Sequence, residues 1–226
     1  YSTICTKEYD LDMDEEITII NSNTRNEKIK NFFVNNIKNI IAGISIILIV
    51  IIGLLSVKEL KIRNKIKLAN NYNITTINFK IDDKQKTVEQ LTKLINENDT
   101  TYSPLALYFL IDNNLIDNKD NINSLFDELI NKTKLEKEIK NLIIYKKALF
   151  NSDTLSENDL LQILNPIINS DSIWKSHSLY LMAEYFYSKN QKLKSKEFFN
   201  KILILSNANS DIKVESQKRL NRDFSE

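Results

Sequence analysis

From Lys84 to the C-terminus, apolar residues return at helical spacing and are broken by short polar runs. The pattern predicts helices over 84–97, 102–115, 121–131, 135–150, 157–169, 173–189, 192–206 and 211–223. Breaks such as "NENDTT", "DNNLIDNKDN", "NSDTLSEND" and "NSDS" consist largely of Asn, Asp, Ser and Thr. Those side chains cap helices and close turns by hydrogen-bonding the backbone. The prolines stand at edges, Pro104 in a first helical turn and Pro166 near a helix end. No β-alternation appears after residue 82, so the expected domain is all-α.

One segment departs from this periodicity. "IIAGISIILIVIIGLLSV", Ile40 to Val57, carries no charge and no polar stripe. Its eighteen residues rise roughly 27 Å as a helix, close to the hydrocarbon thickness of a bilayer. Insertion is favourable by a few tenths of a kcal/mol for each Ile, Leu or Val, which outweighs Gly43, Ser45 and Gly53. A cleaved signal peptide fits poorly, because the stretch is long and "SVKELKIRNK" follows without a small-x-small site. The reading is an uncleaved signal anchor and single transmembrane helix. Its two glycines lie ten positions apart, which is not GxxxG spacing.

The flanks divide the rest. Residues 1–24 read as a disordered tail; Met13, followed by "DEEITII", would be a natural start, which would place 1–12 outside the protein. Residues 25–39 place Ile29, Phe32, Phe33, Asn36, Ile37 and Ile40 at helical spacing among Lys28, Lys30 and Lys38. They form either an amphipathic helix on the membrane surface or the first turns of one long transmembrane helix. After the span, "KELKIRNKIKLANNYN" continues the helical pattern through Leu60, Ile66, Ala69 and Tyr72, opening a domain over 58–226. Basic residues are Arg25, Lys28, Lys30 and Lys38 before the span and Lys58, Lys61, Arg63, Lys65 and Lys67 after it. That count leans slightly toward an inside C-terminus and does not fix the topology.

The short helices come in pairs that recur roughly every 35 to 38 residues, the mark of a helical-repeat solenoid. In "SHSLYLMAEYFYSKNQKLKSKEFFNKIL" the first helix carries Leu179, Met182, Ala183 and Phe186 and the second Ser195, Phe199 and Ile202. This matches the tetratricopeptide pattern, with small residues where the two helices cross and an aromatic filling the gap to the next unit. Weaker copies pair Leu110 with Phe126 and Leu129, and Ile144, Tyr145 and Ala148 with Leu160, Leu161 and Leu164, ending near Pro166. A generic helical bundle is the alternative.

The chain resembles the YfgM-like tetratricopeptide proteins, ancillary subunits of the bacterial SecYEG translocon. The likeness rests on "EKIKNFFVNNIKNIIAGISI" before and into the span, on "NDTTYSPLAL" with Tyr102 opening a helix, on the run from Trp174 through "FFNKIL", and on the closing "VESQKRLNRDF". It covers most of the chain from about Glu27, and departs from the family in its degraded middle repeats and shortage of alanine. The resemblance implies a single-pass inner-membrane protein with a cytoplasmic N-terminus and a periplasmic repeat domain. It also implies the SecYEG translocon and periplasmic chaperones as partners, with exported polypeptides as possible clients.

Composition narrows the chemistry. The chain is rich in Asn, Lys and Ile, and its net charge is +1, with acids and bases mixed, so neither a nucleic-acid patch nor an acidic tail is expected. Cys5 is the only cysteine, so neither an internal disulfide nor a cysteine-based zinc site can form. The only histidine, His177, reads as a surface or groove residue. Both glycines lie in the apolar stretch, which excludes phosphate-cradling glycine loops elsewhere. Asp117 and Glu128 have calcium-loop spacing, but Lys119 and Ile122 stand where a ligand and the turn glycine belong. Asp82 and Asp83 read as helix-start acids; the sequons at Asn73, Asn98 and Asn131 are expected by chance in so Asn-rich a chain.

No enzyme and no cofactor are therefore expected. A repeat array instead offers a surface, and its register places Leu107, Ile111, Leu142, Lys146, Tyr180, Glu184 and Tyr187 on the concave face. Such a face suits binding an extended or partly folded polypeptide, unless the C-terminal helix or a neighbouring unit covers it. Trp174 reads as a core plug. The expected function is a membrane-anchored, protein-binding accessory subunit of the Sec translocon; the alternative is a structural adaptor in an envelope complex, for division or outer-membrane assembly, that binds no clients.

Overall fold

The computed structural model describes residues 5–80 and 83–224, with side chains described from Arg25 onward. Asp82 and the side chains of Cys5 and Met13 lie outside that set. The described residues are helical throughout, with no strand among them. They form α1 (Cys5–Ile77), α2 (Lys84–Asn96), α3 (Tyr102–Asp112), α4 (Lys119–Lys132), α5 (Lys137–Asn151), α6 (Glu157–Ile168), α7 (Lys175–Ser188), α8 (Lys192–Ile204) and α9 (Ser210–Asp223). The chain divides into two compact units, Tyr1–Asn64 and Lys65–Glu226.

Helix α1 is unbroken over 73 residues. It takes in residues 5–24, where the polar sequence predicts a disordered tail. Extending a formed helix adds one hydrogen bond per residue fixed, so even a polar run can continue one that is already nucleated. It passes residue 40 without interruption, so the juxtamembrane segment and the apolar stretch belong to one helix. Within Arg25–Ile77 lies a window long and apolar enough to cross a membrane, none of it buried against other parts of the chain. The Ser56 hydroxyl donates to the Ile52 carbonyl at 2.8 Å, so this polar atom is satisfied inside its own helix. A Cβ built on Gly43 or Gly53 would meet nothing within 4 Å.

The second unit begins with the end of α1. Leu68 and Tyr72 pack there on a core made by α2, α3 and α4, around Leu91, Ile95, Ala106, Leu110, Phe126 and Leu129. A second core joins α5, α6 and α7 through Ala148, Leu160, Leu164, Met182 and Phe186. A third joins α7, α8 and α9 through Leu179, Ala183, Phe199, Ile202 and Leu220. From α2 to α9 every helix packs on the next, and α2 also touches α4, α5 touches α7, and α7 touches α9.

Side chains make the turns. Asp99 Oδ1 accepts from the Thr101 and Tyr102 amides at the start of α3, Asn118 Oδ1 from Asp120 and Asn121 at α4, and Asn209 Oδ1 from Asp211 and Ile212 at α9. At α6 the Ser156 hydroxyl accepts from the Asp159 amide while donating to its carboxylate, a capping pair. Where a helix must end in the left-handed region, with no glycine to take it, asparagine does. Asn98, Asn114 and Asn190 have φ of 55°, 50° and 59°. Past Asn114 the Leu115 amide reaches the Leu110 carbonyl at 2.9 Å; past Asn190 the Gln191 amide reaches Phe186 at 2.9 Å. Both are Schellman closures.

The last helix pair shows why small residues matter. Ser195 of α8 is fully buried, and its hydroxyl donates to the Ala183 carbonyl of α7 at 2.8 Å. The bond brings the two helices together where neither side chain needs room. Replacing Ser195 by Ala should cost about 1 kcal/mol, the ordinary worth of such a bond. Ser195→Leu should cost about 1–3 kcal/mol or more by forcing the crossing apart, read as the shift in denaturant midpoint of the detergent-solubilised chain.

Candidate functional site

The seven residues expected on one concave face do not form one continuous surface. Leu107 is fully buried in the first core, so it contacts no ligand. Helix α3, "YSPLALYFLID", is apolar on nearly every side and packs on both α2 and α4, so spacing alone cannot say which side stays open. Ile111 is half-buried against the same core. Leu142 and Lys146, one turn apart on α5, are half-buried beside Tyr108, the neighbour of Leu107. Tyr180, Glu184 and Tyr187, on α7, are half-buried where α9 packs against that helix.

Of the first four, Leu142 alone lines a groove of about 550 Å³. Pro104, Leu105 and Tyr108 of α3 form one wall, and Leu135, Ile139 and Leu142 form the other. Thr100, Thr101, Lys134 and Glu136 bring polar atoms to its lining. The Asp99 cap fixes where α3 begins, and the Thr133 hydroxyl donates to Asn98 Oδ1 at 3.0 Å, tying the end of α4 to the α2–α3 turn. Leu105 and Ile139 remain 39% and 41% exposed, large apolar side chains that face solvent. Lys146 Nζ stands 4.3 Å from the centre of the Tyr108 ring, a cation on its π face. The Tyr108 hydroxyl is buried without a hydrogen-bond partner, and burial pushes its pKa up to about 12. An unmade bond of this kind costs about 1–3 kcal/mol.

The second group is occupied by the chain itself. Arg219 of α9 donates from Nε to Glu184 Oε1 at 2.7 Å and from Nη2 to Oε2 at 2.9 Å, a bidentate fork. Its guanidinium lies 4.5 Å from the Tyr187 ring centre and also donates from Nη1 to Asp223. Phe224 meets Tyr187 and Phe199 edge-on at 5.8 and 6.0 Å. Burial, reinforced by the Glu184 charge, raises Tyr180 to about 12, while the hydrogen bond from Arg222 holds the Asp223 carboxyl below its usual range. Between the two groups, Tyr145 stacks on Trp174 at 5.9 Å, with His177 against both rings. Trp174 is half-buried, plugging the edge of the second core.

The remaining candidates have local roles. Asp83 stands at the start of α2 and makes no side-chain cap bond. Asp117 faces Lys84 at 3.4 Å while Glu128 pairs with Lys132 at 2.8 Å, so each carboxylate has its own cation. Asn98 turns the α2–α3 corner, and Asn73 and Asn131 are exposed. Among the described residues no group of three or more His, Cys, Asp or Glu could hold a metal ion. Two elements escaped sequence reasoning, the Tyr108 groove and the Arg219 clamp. Arg219 lies 35 positions after Glu184, beyond the reach of any short window.

His177 gives the fold a pH dependence. Burial holds its imidazole below the ordinary 6.5, partly opposed by the Ile173 carbonyl. The unfolded chain therefore binds this proton more readily, so the stabilisation is complete above pH 6.5 and is lost as pH falls through the lowered folded value. Melting of the full chain at pH 7, 6 and 5 should show a decline that is shallower in His177→Gln. Identical slopes would remove His177 from the account.

Compared with known proteins, the chain matches no family model, no curated protein sequence and no solved structure.

Proposed function

We propose that the chain is a membrane-anchored, tetratricopeptide-like helical-repeat protein that binds segments of other polypeptides, as an accessory subunit of the Sec translocon. In this reading α1 crosses the inner membrane once, the N-terminus is cytoplasmic and the repeats stand in the periplasm. There they meet exported chains and periplasmic chaperones. The anchor keeps weak contacts effective by raising local concentration.

The groove between α3 and α5 is the observation that carries the binding function. Leu105, Ile139 and Leu142 offer apolar contact, and Thr100, Thr101, Lys134 and Glu136 bring polar atoms to the same lining. The repeat reading draws on polar links between positions about one period apart. Thr133 bonds Asn98 over 35 residues, Ser172 bonds Glu138 over 34, and Asn207 bonds Asp171 over 36. A second reading, an envelope adaptor that holds one fixed partner, is favoured by α9, which already fills the Tyr180–Tyr187 part of the expected client face.

Topology comes first among the tests. Ser188 is exposed at the end of α7, so Ser188→Cys in a Cys5→Ser background should react with a membrane-impermeant maleimide on intact spheroplasts. Labelling only after lysis would put the repeats in the cytosol and end the export reading. The groove is tested by photo-crosslinking from Leu105 or Ile139, with exposed Leu149 as the control. Adducts to many different chains at the first two sites and few at Leu149 are expected for client binding. A single stoichiometric adduct would favour the adaptor, and equal labelling at all three would leave the groove without a binding role.

A further inference from the structure

Directly after the uncharged stretch, α1 carries Lys58, Lys61, Arg63, Lys65 and Lys67 against a single acid, Glu59. All five cations are exposed, and among the described residues only Arg63 has an ion-pair partner, Glu59 at 2.8 Å. The ten residues before the stretch hold only Lys30 and Lys38. Within ten residues of the stretch the cations are thus denser on the C-terminal flank, five against two, although the wider flanks are nearly balanced.

Its angular distribution says what it fits. At roughly 100° per residue, Lys58, Lys61 and Lys65 fall on one side of the helix, and Arg63 and Lys67 on the opposite side. A stripe would suit a duplex or one acidic protein face. Cations on opposite sides suit a medium that surrounds the helix. The distances agree: Lys58 to Arg63 lie roughly 1.5 to 9 Å beyond Val57, the end of the uncharged stretch, spanning a headgroup layer roughly 5–8 Å thick. Lys65 and Lys67 follow at roughly 12 to 15 Å, near the reach of a charged surface in physiological salt.

We propose that Lys58–Lys67 is a binding segment for anionic phospholipid headgroups, which recruits phosphate-bearing lipids around this end of the span. The proposal rests on the membrane-spanning reading of α1 and adds a lipid class to it. Long, flexible lysines reach phosphates at several depths, and no specific pocket is required.

The test uses the full chain with Val57→Trp, reconstituted in mixtures of phosphatidylcholine and phosphatidylglycerol. One lipid at a time is brominated near the headgroup end of its acyl chains. Fluorescence quenching then reports which lipid lies beside residue 57, with the unaltered chain giving the Trp174 background. Phosphatidylglycerol should be preferred roughly three- to tenfold at low salt, with the preference falling as salt rises. Replacing the five cations by Gln should bring the ratio to about one, whereas Lys→Arg at the four lysines should retain it. Equal quenching by both lipids in the unaltered segment, or a preference that survives the Gln variant, would overturn the proposal and leave the span standing. No quenching by either lipid would overturn the span as well.

Discussion

None of the eight short helices, eleven to fifteen residues long, is stable alone in water, because a helix of that length barely repays its nucleation. Each therefore exists only through the apolar face that its neighbours cover. The structure answers with a chain of nearest-neighbour contacts: three small cores in sequence rather than one large one, with α7 shared between the second and third. The ends are where it runs out of partners. The end of α1 covers the α2–α4 core on one side, and α9 covers α7 and α8 on the other.

That terminal position explains the chemistry of α9. It has few apolar residues to offer, and Leu220 is its one buried hydrophobic side chain. Arg219 supplies the rest, its stem packed among Tyr187 and Phe199 and its head satisfied by Glu184 and Asp223. A charge this well enclosed stays favourable only while its carboxylates remain in place. The same helix end therefore combines a network of ion pairs with a single buried hydrophobic side chain.

How much of this could be read from the sequence depended on how local each feature was. Helix boundaries were legible to within three residues, since Asp99, Asn118, Ser156 and Asn209 hold the turns through bonds spanning two or three residues. The last pair was legible too: Leu179, Met182, Ala183, Phe186, Ser195, Phe199 and Ile202 are all buried. The burial of individual residues on the expected face was not. Leu107 and Tyr108 are adjacent, and only the simultaneous packing of α2 and α4 decides which is enclosed. The packing of α9 against Tyr187 and Glu184 is a contact over 35 positions, invisible to any short window. The N-terminal tail failed for another reason: its composition is polar, yet it continues a helix begun elsewhere.

The asparagine-built corners have a consequence for how the protein ages. Deamidation proceeds when the next backbone nitrogen attacks the side-chain amide, and it is fastest when glycine follows. In this chain no asparagine precedes a glycine, and the three left-handed ones are followed by Asp99, Leu115 and Gln191. Asparagine thus does the work of glycine in the turns without creating the sequence in which it decays most readily. A chain so rich in a labile residue gains chemical durability from the shortage of the residue it replaces.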